Sequence, residues 1–201
     1  RRFGASLDKI KQVVDVRDGE IMFGLNMVVH KGKTIFVGDT SVHEYPTSEQ
    51  MAEIAISTAR VVRLFGFDPK VAFVSHSTFG QPLTSRTKHI RNAVDILKEK
   101  KVDFEFDGDM QPDVALNPEY KDLYPFSKIV GKANILIMPG QHSAAISYKM
   151  MKTLGDTKVI GPLLIGLGLP IEIAPLRSST SELINLASIA AYSADVIDYK
   201  K

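Results

Sequence analysis

The sequence predicts an α/β protein: a three-layer, mainly parallel sheet that also carries an antiparallel hairpin. Three observations predict it. Short apolar runs alternate with amphipathic helical stretches about four times after Pro46, the mark of a parallel sheet with helices on both faces. Two apolar runs flank Lys31-Gly32, which reads as a hairpin and adds the antiparallel edge that mixed sheets often have. The 201 residues, 44% hydrophobic and 24% charged, suit one compact domain with a sizeable core.

The elements follow in order. "IMFGLNMVVHKGKTIFVGDT" supplies the hairpin. "PTSEQMAEIAISTARVVRLFG" is the clearest helix. Thr47 and Gln50 form a capping box, and Met51, Ile54, Ala55, Thr58, Val62 and Phe65 recur at helical spacing. Gly66 is placed to end it. "KVAFVS" is a buried strand and "HSTFGQP" a loop. A second amphipathic helix spans 84–101, with Ile90, Ala93, Val94 and Leu97 on one face. "VDFEF" alternates as a strand does, and "DGDMQPDVALNPEY" reads as a loop leading to a short helix. "NILIMP" is a strand, 141–154 a helix, and "KVIGPLLIG" and "PIEIAP" are strand-like. A final helix runs from Ser178 to about Tyr199, starting near Ser179 or Thr180.

Composition closes several options. There is no Cys, so disulfides, thiolate metal sites and Cys nucleophiles are excluded. No apolar run reaches the roughly 18 residues of a membrane span, and the N-terminus lacks signal-peptide order. A cytoplasmic protein without membrane or nucleic-acid partners is expected, since a net charge of +2 is too small to argue for nucleic acid. The chain starts "RRFGAS" without Met, so a piece of a longer protein is expected.

In open α/β sheets ligands sit beyond the carboxyl ends of the strands. That rule selects the loops Ser75–Pro82, Asp107–Asp113, Pro139–Ser143 and Gly161–Ser179. In the first, Ser77, Thr78 and Gly80 precede a basic helix and could cradle an anion; equally, the hydroxyls could simply cap that helix and its lysines form a solvated face. The aspartates of "DGDMQPD" read as turn chemistry, because the Gly and Glu of a calcium loop are replaced by Pro112 and Pro118. Gln141, His142 and Ser143 stand where a strand passes into a helix; His142 could be a base or a phosphate donor, or only a polar helix start. No histidine pair has metal-ligand spacing, and no P-loop, GxSxG or GxGxxG pattern is present.

Read together, "VAFVSHSTFG", "DGDMQPDVALNPE", "GKANILIMP" and "GPLLIGLGLPIE" resemble, in order and spacing, the phosphate acetyl/butyryl transferase family. "FVGDTSVHEYPTSEQMAEIAISTA" is similar to that family's "ADTAVNxxPTAEQLAEIA". The resemblance covers about Met22 to Ala194. It implies a fold like that of the isocitrate and isopropylmalate dehydrogenases. Residues 1–174 would be the second α/β domain of a phosphotransacetylase-like unit, and 175–201 a helix reaching toward a first domain that this sequence does not contain.

Active phosphotransacetylases carry a segment like "GPxxQGLxKPVNDLSRGC" and move acetyl between coenzyme A and phosphate, with the Ser-Arg pair important. Gap-free alignment puts Pro175 at the Ser, Leu176 at the Arg and Ile165 at the Gln, and keeps the downstream acid as Glu182. A Pro has no hydroxyl and a Leu no charge. The degenerate segment resembles the branch of the family that forms the C-terminal domain of long bacterial malic enzymes. That resemblance implies a domain with no catalytic residue and no metal ligand of its own, which binds acetyl-CoA as a regulator and joins subunits into a homodimer or larger oligomer. NADP and a divalent metal would serve the malate-oxidising part elsewhere in the longer protein. The candidate acyl-CoA or phosphate contacts are Ser77, Thr78, Gly80, Gln141, His142, Ser143, Gly161, Arg177, Ser178 and Glu182. An active phosphate acetyltransferase with a rearranged site, or a purely structural dimerisation domain, are the alternatives.

Overall fold

The computed structural model describes residues 3–197; the predicted end of the last helix at Tyr199 lies outside them. After a short helix, α1 (Phe3–Ile10), come the strands β1 (Phe23–His30) and β2 (Lys33–Gly38) and the helix α2 (Ser48–Leu64). Then follow β3 (Lys70–Val74), α3 (Ser85–Glu99), β4 (Glu105–Met110) and α4 (Pro112–Leu116). The chain ends with β5 (Ile135–Ile137), α5 (Gln141–Leu154), β6 (Thr157–Ile165) and α6 (Thr180–Val196).

The six strands form one sheet in the order β4-β3-β5-β2-β1-β6. β4, β3, β5 and β2 pair in parallel, whereas β1 is antiparallel to both β2 and β6. The predicted hairpin is therefore the switch between two parts of the sheet, not its edge. Lys31 and Gly32 both have positive φ, 48° and 73°, the turn geometry that matches the strand twist.

Strand alternation divides the core. Phe36, Phe73, Ile135 and Ile137 face α2 and α3, with Met51, Ile54, Ile90 and Leu97 packed on them. Their neighbours Val37, Ala72, Val74 and Leu136 face the other way, toward Ala115 of α4 and Ala144 of α5. Leu186 of α6 joins the first layer. The parallel strands are buried on both faces, which is why they read as unbroken apolar runs.

The helix starts were well marked. Thr47 with Gln50, Thr84 with Thr87, and Ser179 with Glu182 all make complete capping boxes. Two sequence readings are corrected. "PIEIAP" is not a strand: residues 170–175 join no ladder, and the prolines at its two ends, Pro170 and Pro175, lack the N–H a ladder needs. Asp107 and Asp109 belong to β4, not to a turn. Both carboxylates are buried and accept internal donors: Gly108 N–H and Lys128 N–H at Asp107, and the Ser77 hydroxyl at Asp109. α6 packs back onto the same body, with the Tyr192 hydroxyl donating to the Leu64 carbonyl at 3.0 Å. Among the described residues no helix is long and apolar enough to cross a membrane.

Candidate functional site

The carboxyl ends of β2 and β5 open on a cleft of about 390 Å³. Glu44, Tyr45 and Pro46 after β2 line one side, Gly140, His142 and Ser143 at the start of α5 another, and Ser85, Arg86 and His89 of α3 close it. Gly140 is required where it stands: a Cβ there would lie 2.5 Å from the Glu44 carbonyl oxygen. The two loops thus touch backbone to backbone and hold the cleft's floor.

The electrostatics favour an anion. The first turns of α3 and α5 border the cleft, and a helix start carries partial positive charge, although Thr84 already caps α3 and the Gln141 N–H is bonded to the His43 carbonyl. The first turn of α3 holds no acid, and Arg86 and Lys88 stand near its start, unpaired among the described residues. Cations at a helix N-terminus are unfavourable unless an anion joins them. Glu44 is the acid of the lining, 4.0 Å from the His142 Nε2. His89 is a brace: its Nε2 reaches the Pro46 carbonyl at 2.9 Å and its Nδ1 the Ser48 hydroxyl at 3.0 Å, tying α3 to the start of α2.

The ten sequence-predicted residues do not gather in one place. His142 and Ser143 line this cleft, although the Ser143 hydroxyl is spent on the Gly140 carbonyl at 2.8 Å. Gln141 stands beside them, its amide donating to the Ser41 carbonyl. Ser77 is 1% exposed and donates to Asp109, while the Thr78 hydroxyl accepts from Gln111 N–H. These hydroxyls take part in the internal hydrogen bonds of the loop. Gly80 has φ +81° and leaves room for the Arg91 guanidinium.

Gly161, Ser178 and Glu182 line a second, smaller cleft of about 50 Å³, with Tyr148, Lys152 and Pro175. Lys152 lies ten residues along α5 from His142, roughly 15 Å at 1.5 Å per residue. Here Glu182 is pinned by Lys152 at 2.8 Å and by the Ser179 N–H at 2.8 Å. The Lys152 bond, then the Ser179 bond, hold its carboxyl down at about 2. Its contribution to stability is complete above the ordinary carboxylate range and lost as pH falls toward 2. The Ser178 hydroxyl is buried without a partner. Arg177 is exposed, and Leu176 is 78% exposed.

Sequence reasoning missed Glu44 and Tyr45 because the loop after β2 was not among the four selected, and His89 because it lies within α3, past the loop that was. The signal was present: β2 also runs parallel to its neighbour and ends in Asp39-Thr40-Ser41, an Asx-type turn.

This fold, with its cleft and altered segment at 161–178, defines a class. The chain belongs to the phosphate acetyl/butaryl transferase family, whose model matches residues 2–191. More particularly, it matches the C-terminal part of NADP-dependent malic enzymes. It is 44% identical over 194 residues to the NADP-dependent malic enzyme of Rhizobium meliloti, covering 96% of this chain and 26% of that protein. It is 31% identical over 185 residues to the phosphate acetyltransferase of Bacillus subtilis, covering 91% and 57%. A solved phosphotransacetylase from Streptococcus pyogenes superposes with a TM-score of 0.90 at 29% identity, covering 97% of this chain and 60% of that one. The chain therefore spans about a quarter of the length of the malic enzymes it matches.

Proposed function

We propose that this is the regulatory, acyl-CoA-binding domain of an NADP-dependent malic enzyme, without transferase activity of its own. One observation carries the reading. Where the family's reactive segment holds a hydroxyl and a guanidinium, this chain presents Pro175 and an exposed Leu176, while the scaffold around them superposes on a phosphotransacetylase. Neither side chain can bind phosphate bidentately or hydrogen-bond a transferring acyl group. The cleft at the carboxyl edge, with Arg86 in its lining and Lys88 near by on α3, suits the phosphates of an acyl-CoA.

In this reading the longer protein is cytoplasmic and oxidatively decarboxylates malate with NADP and a divalent metal bound outside these residues. This domain belongs with the isocitrate/isopropylmalate dehydrogenase-like folds, pairs with a second copy, and reports acetyl-CoA by favouring one of two states. A rearranged transferase is the second reading; the buried, unpartnered Ser178 hydroxyl beside Lys152 is what favours it.

Calorimetric titration with acetyl-CoA tests binding. The parent protein should bind, and Arg86→Ala should weaken binding about tenfold, the usual loss for one charge-assisted phosphate contact. No binding to the parent protein sinks the reading, and equal affinities move the phosphates away from α3.

A further inference from the structure

A third cleft, of about 390 Å³, lies where the segment before β1 meets α2. It shares no lining residue with the Arg86 cleft. Its lining holds Arg17 from that segment and Arg60 and Arg63 from α2. A spacing of three puts the last two on one side of the helix. Glu20 is the acid of the lining. Its side chain is 10% exposed, and its two carboxylate oxygens accept from Arg17 Nη2 and from Arg60 Nη1 at 3.0 Å each.

Glu20 fixes Arg60 in place without neutralising the cleft, because three guanidiniums stand against one carboxylate in its lining. Arg60 also donates from Nη2 to the Ser57 hydroxyl at 2.9 Å, so its fork is held from two sides. Arg63 reaches Asp103 at 3.0 Å, but that carboxylate is 78% exposed and lies outside the lining. An ion pair so open to water contributes little, and a bound anion can take its place. Arg60 and Arg63 each have N–H donors beyond these bonds. The rest of the wall is apolar. Val61 and Leu64 follow the two arginines along α2, and Ile165 of β6 faces the same space.

We propose that this cleft is a separate ligand site, which takes a phosphate monoester carrying a small apolar body. Arg60 and Arg63 hold the phosphoryl group, and the body lies on Val61, Leu64 and Ile165. Glu20 is a positioning residue that acts through Arg60, and Arg17 steadies Glu20 in turn. Two features select this chemistry. A guanidinium fork matches phosphate oxygens bidentately, which a lysine ammonium does not. The two arginines also stand within one turn of a single helix, so the negative charge they meet should be concentrated in one head group. A phosphate monoester puts about two charges on three oxygens, whereas a dicarboxylate divides them between two ends. The apolar wall beside the arginines gives the ester's body a place out of water. This site stands apart from the acyl-CoA reading of the Arg86 cleft and does not depend on it.

Phenyl phosphate is the probe and inorganic phosphate its control, each titrated calorimetrically into the full-length protein with and without acetyl-CoA. Phenyl phosphate should bind several-fold more tightly than inorganic phosphate, and acetyl-CoA should not displace it. Arg63→Ala should weaken phenyl phosphate about tenfold, the usual loss for one charge-assisted contact. Arg63→Lys keeps the charge without the fork and should recover only part of that loss. Arg86→Ala, in the other cleft, should leave the phenyl phosphate affinity unchanged. No binding of phenyl phosphate overturns the proposal. So does an affinity that Arg63→Ala leaves as it was, one that Arg86→Ala lowers instead, or displacement by acetyl-CoA. Inorganic phosphate binding as tightly as phenyl phosphate overturns the apolar part of the site. If phenyl phosphate binds as expected while acetyl-CoA does not bind, this site stands and the acyl-CoA reading falls. If acetyl-CoA alone binds, the reverse holds.

Discussion

Replacing Asp39 by Ala should cost about 3–5 kcal/mol of folding stability, a fall of roughly 10 °C in Tm for a domain of this size. Asp39 holds four main-chain N–H groups and one imidazole inside the fold. Removing it leaves those donors without their acceptor, the buried Gly24 N–H among them. The loss should not be confined to the global transition. The segment between β2 and α2 has no other organiser of comparable weight, so its amides should exchange faster than those of β2 itself. Asp39→Asn keeps one acceptor oxygen but turns an NH₂ toward donors, and should recover only part of the loss. Denaturant unfolding of the three proteins checks this. An Asp39→Ala variant within about 0.5 kcal/mol of the parent, the scatter of ordinary surface substitutions, contradicts the role.

The second large effect is a dependence of stability on pH that runs opposite to the usual one. Glu172 sits largely buried against β6, beside a small, mainly apolar cavity between α2, β6 and α6. Desolvation raises its carboxyl to about 8, against the one donor that opposes the shift, the Leu164 N–H. The folded state therefore keeps a proton that the unfolded chain releases above about 4.5. Between these two values folding binds the extra proton, so stability falls as pH rises. The contribution is complete below the lower value and gone above the higher one. At 1.36 kcal/mol per pH unit the loss between pH 5 and pH 9 is on the order of 3–5 kcal/mol. Glu172→Gln keeps an acceptor for Leu164 and cannot ionise. Its stability should be nearly flat over this range and exceed the parent's at pH 9. Parallel stability curves for parent and variant would show that the carboxyl is hydrated and the cavity wet.

Most of the fold was legible because its signals are local. Capping residues, helical spacing and a positive-φ turn are all written in short windows, and α2, α3 and α5 fell where those windows put them. What was illegible depends on partners distant in sequence. Asp107 and Asp109 look like turn residues, and only the Lys128 amide and the Ser77 hydroxyl, brought in by the fold, let them be buried in a strand. "PIEIAP" alternates as a strand does, but its Glu172 turns back to accept the Leu164 N–H instead of joining a ladder. α1 was not anticipated; its one buried residue, Leu7, gives too weak a period.

The site shows the same division. Sequence reasoning chose residues by chemical type, and the fold used several of them for itself: Ser77 for Asp109, Ser143 for Gly140 and Glu182 for Lys152. Arg86, in the cleft lining, drew less notice. Its meaning comes from the start of α5 that the fold brings opposite it, which no short window reveals.

The central claim is a family scaffold that keeps its ligand cleft and has lost its reaction. Acetyl phosphate formation from acetyl-CoA and inorganic phosphate, measured on protein already shown to bind acetyl-CoA, tests it most directly. The account predicts no product above the uncatalysed rate, because Pro175 and Leu176 stand where the hydroxyl and guanidinium would act. Turnover within a few-fold of an intact phosphotransacetylase would contradict it and return the chemistry to Ser178, Arg177 or His142.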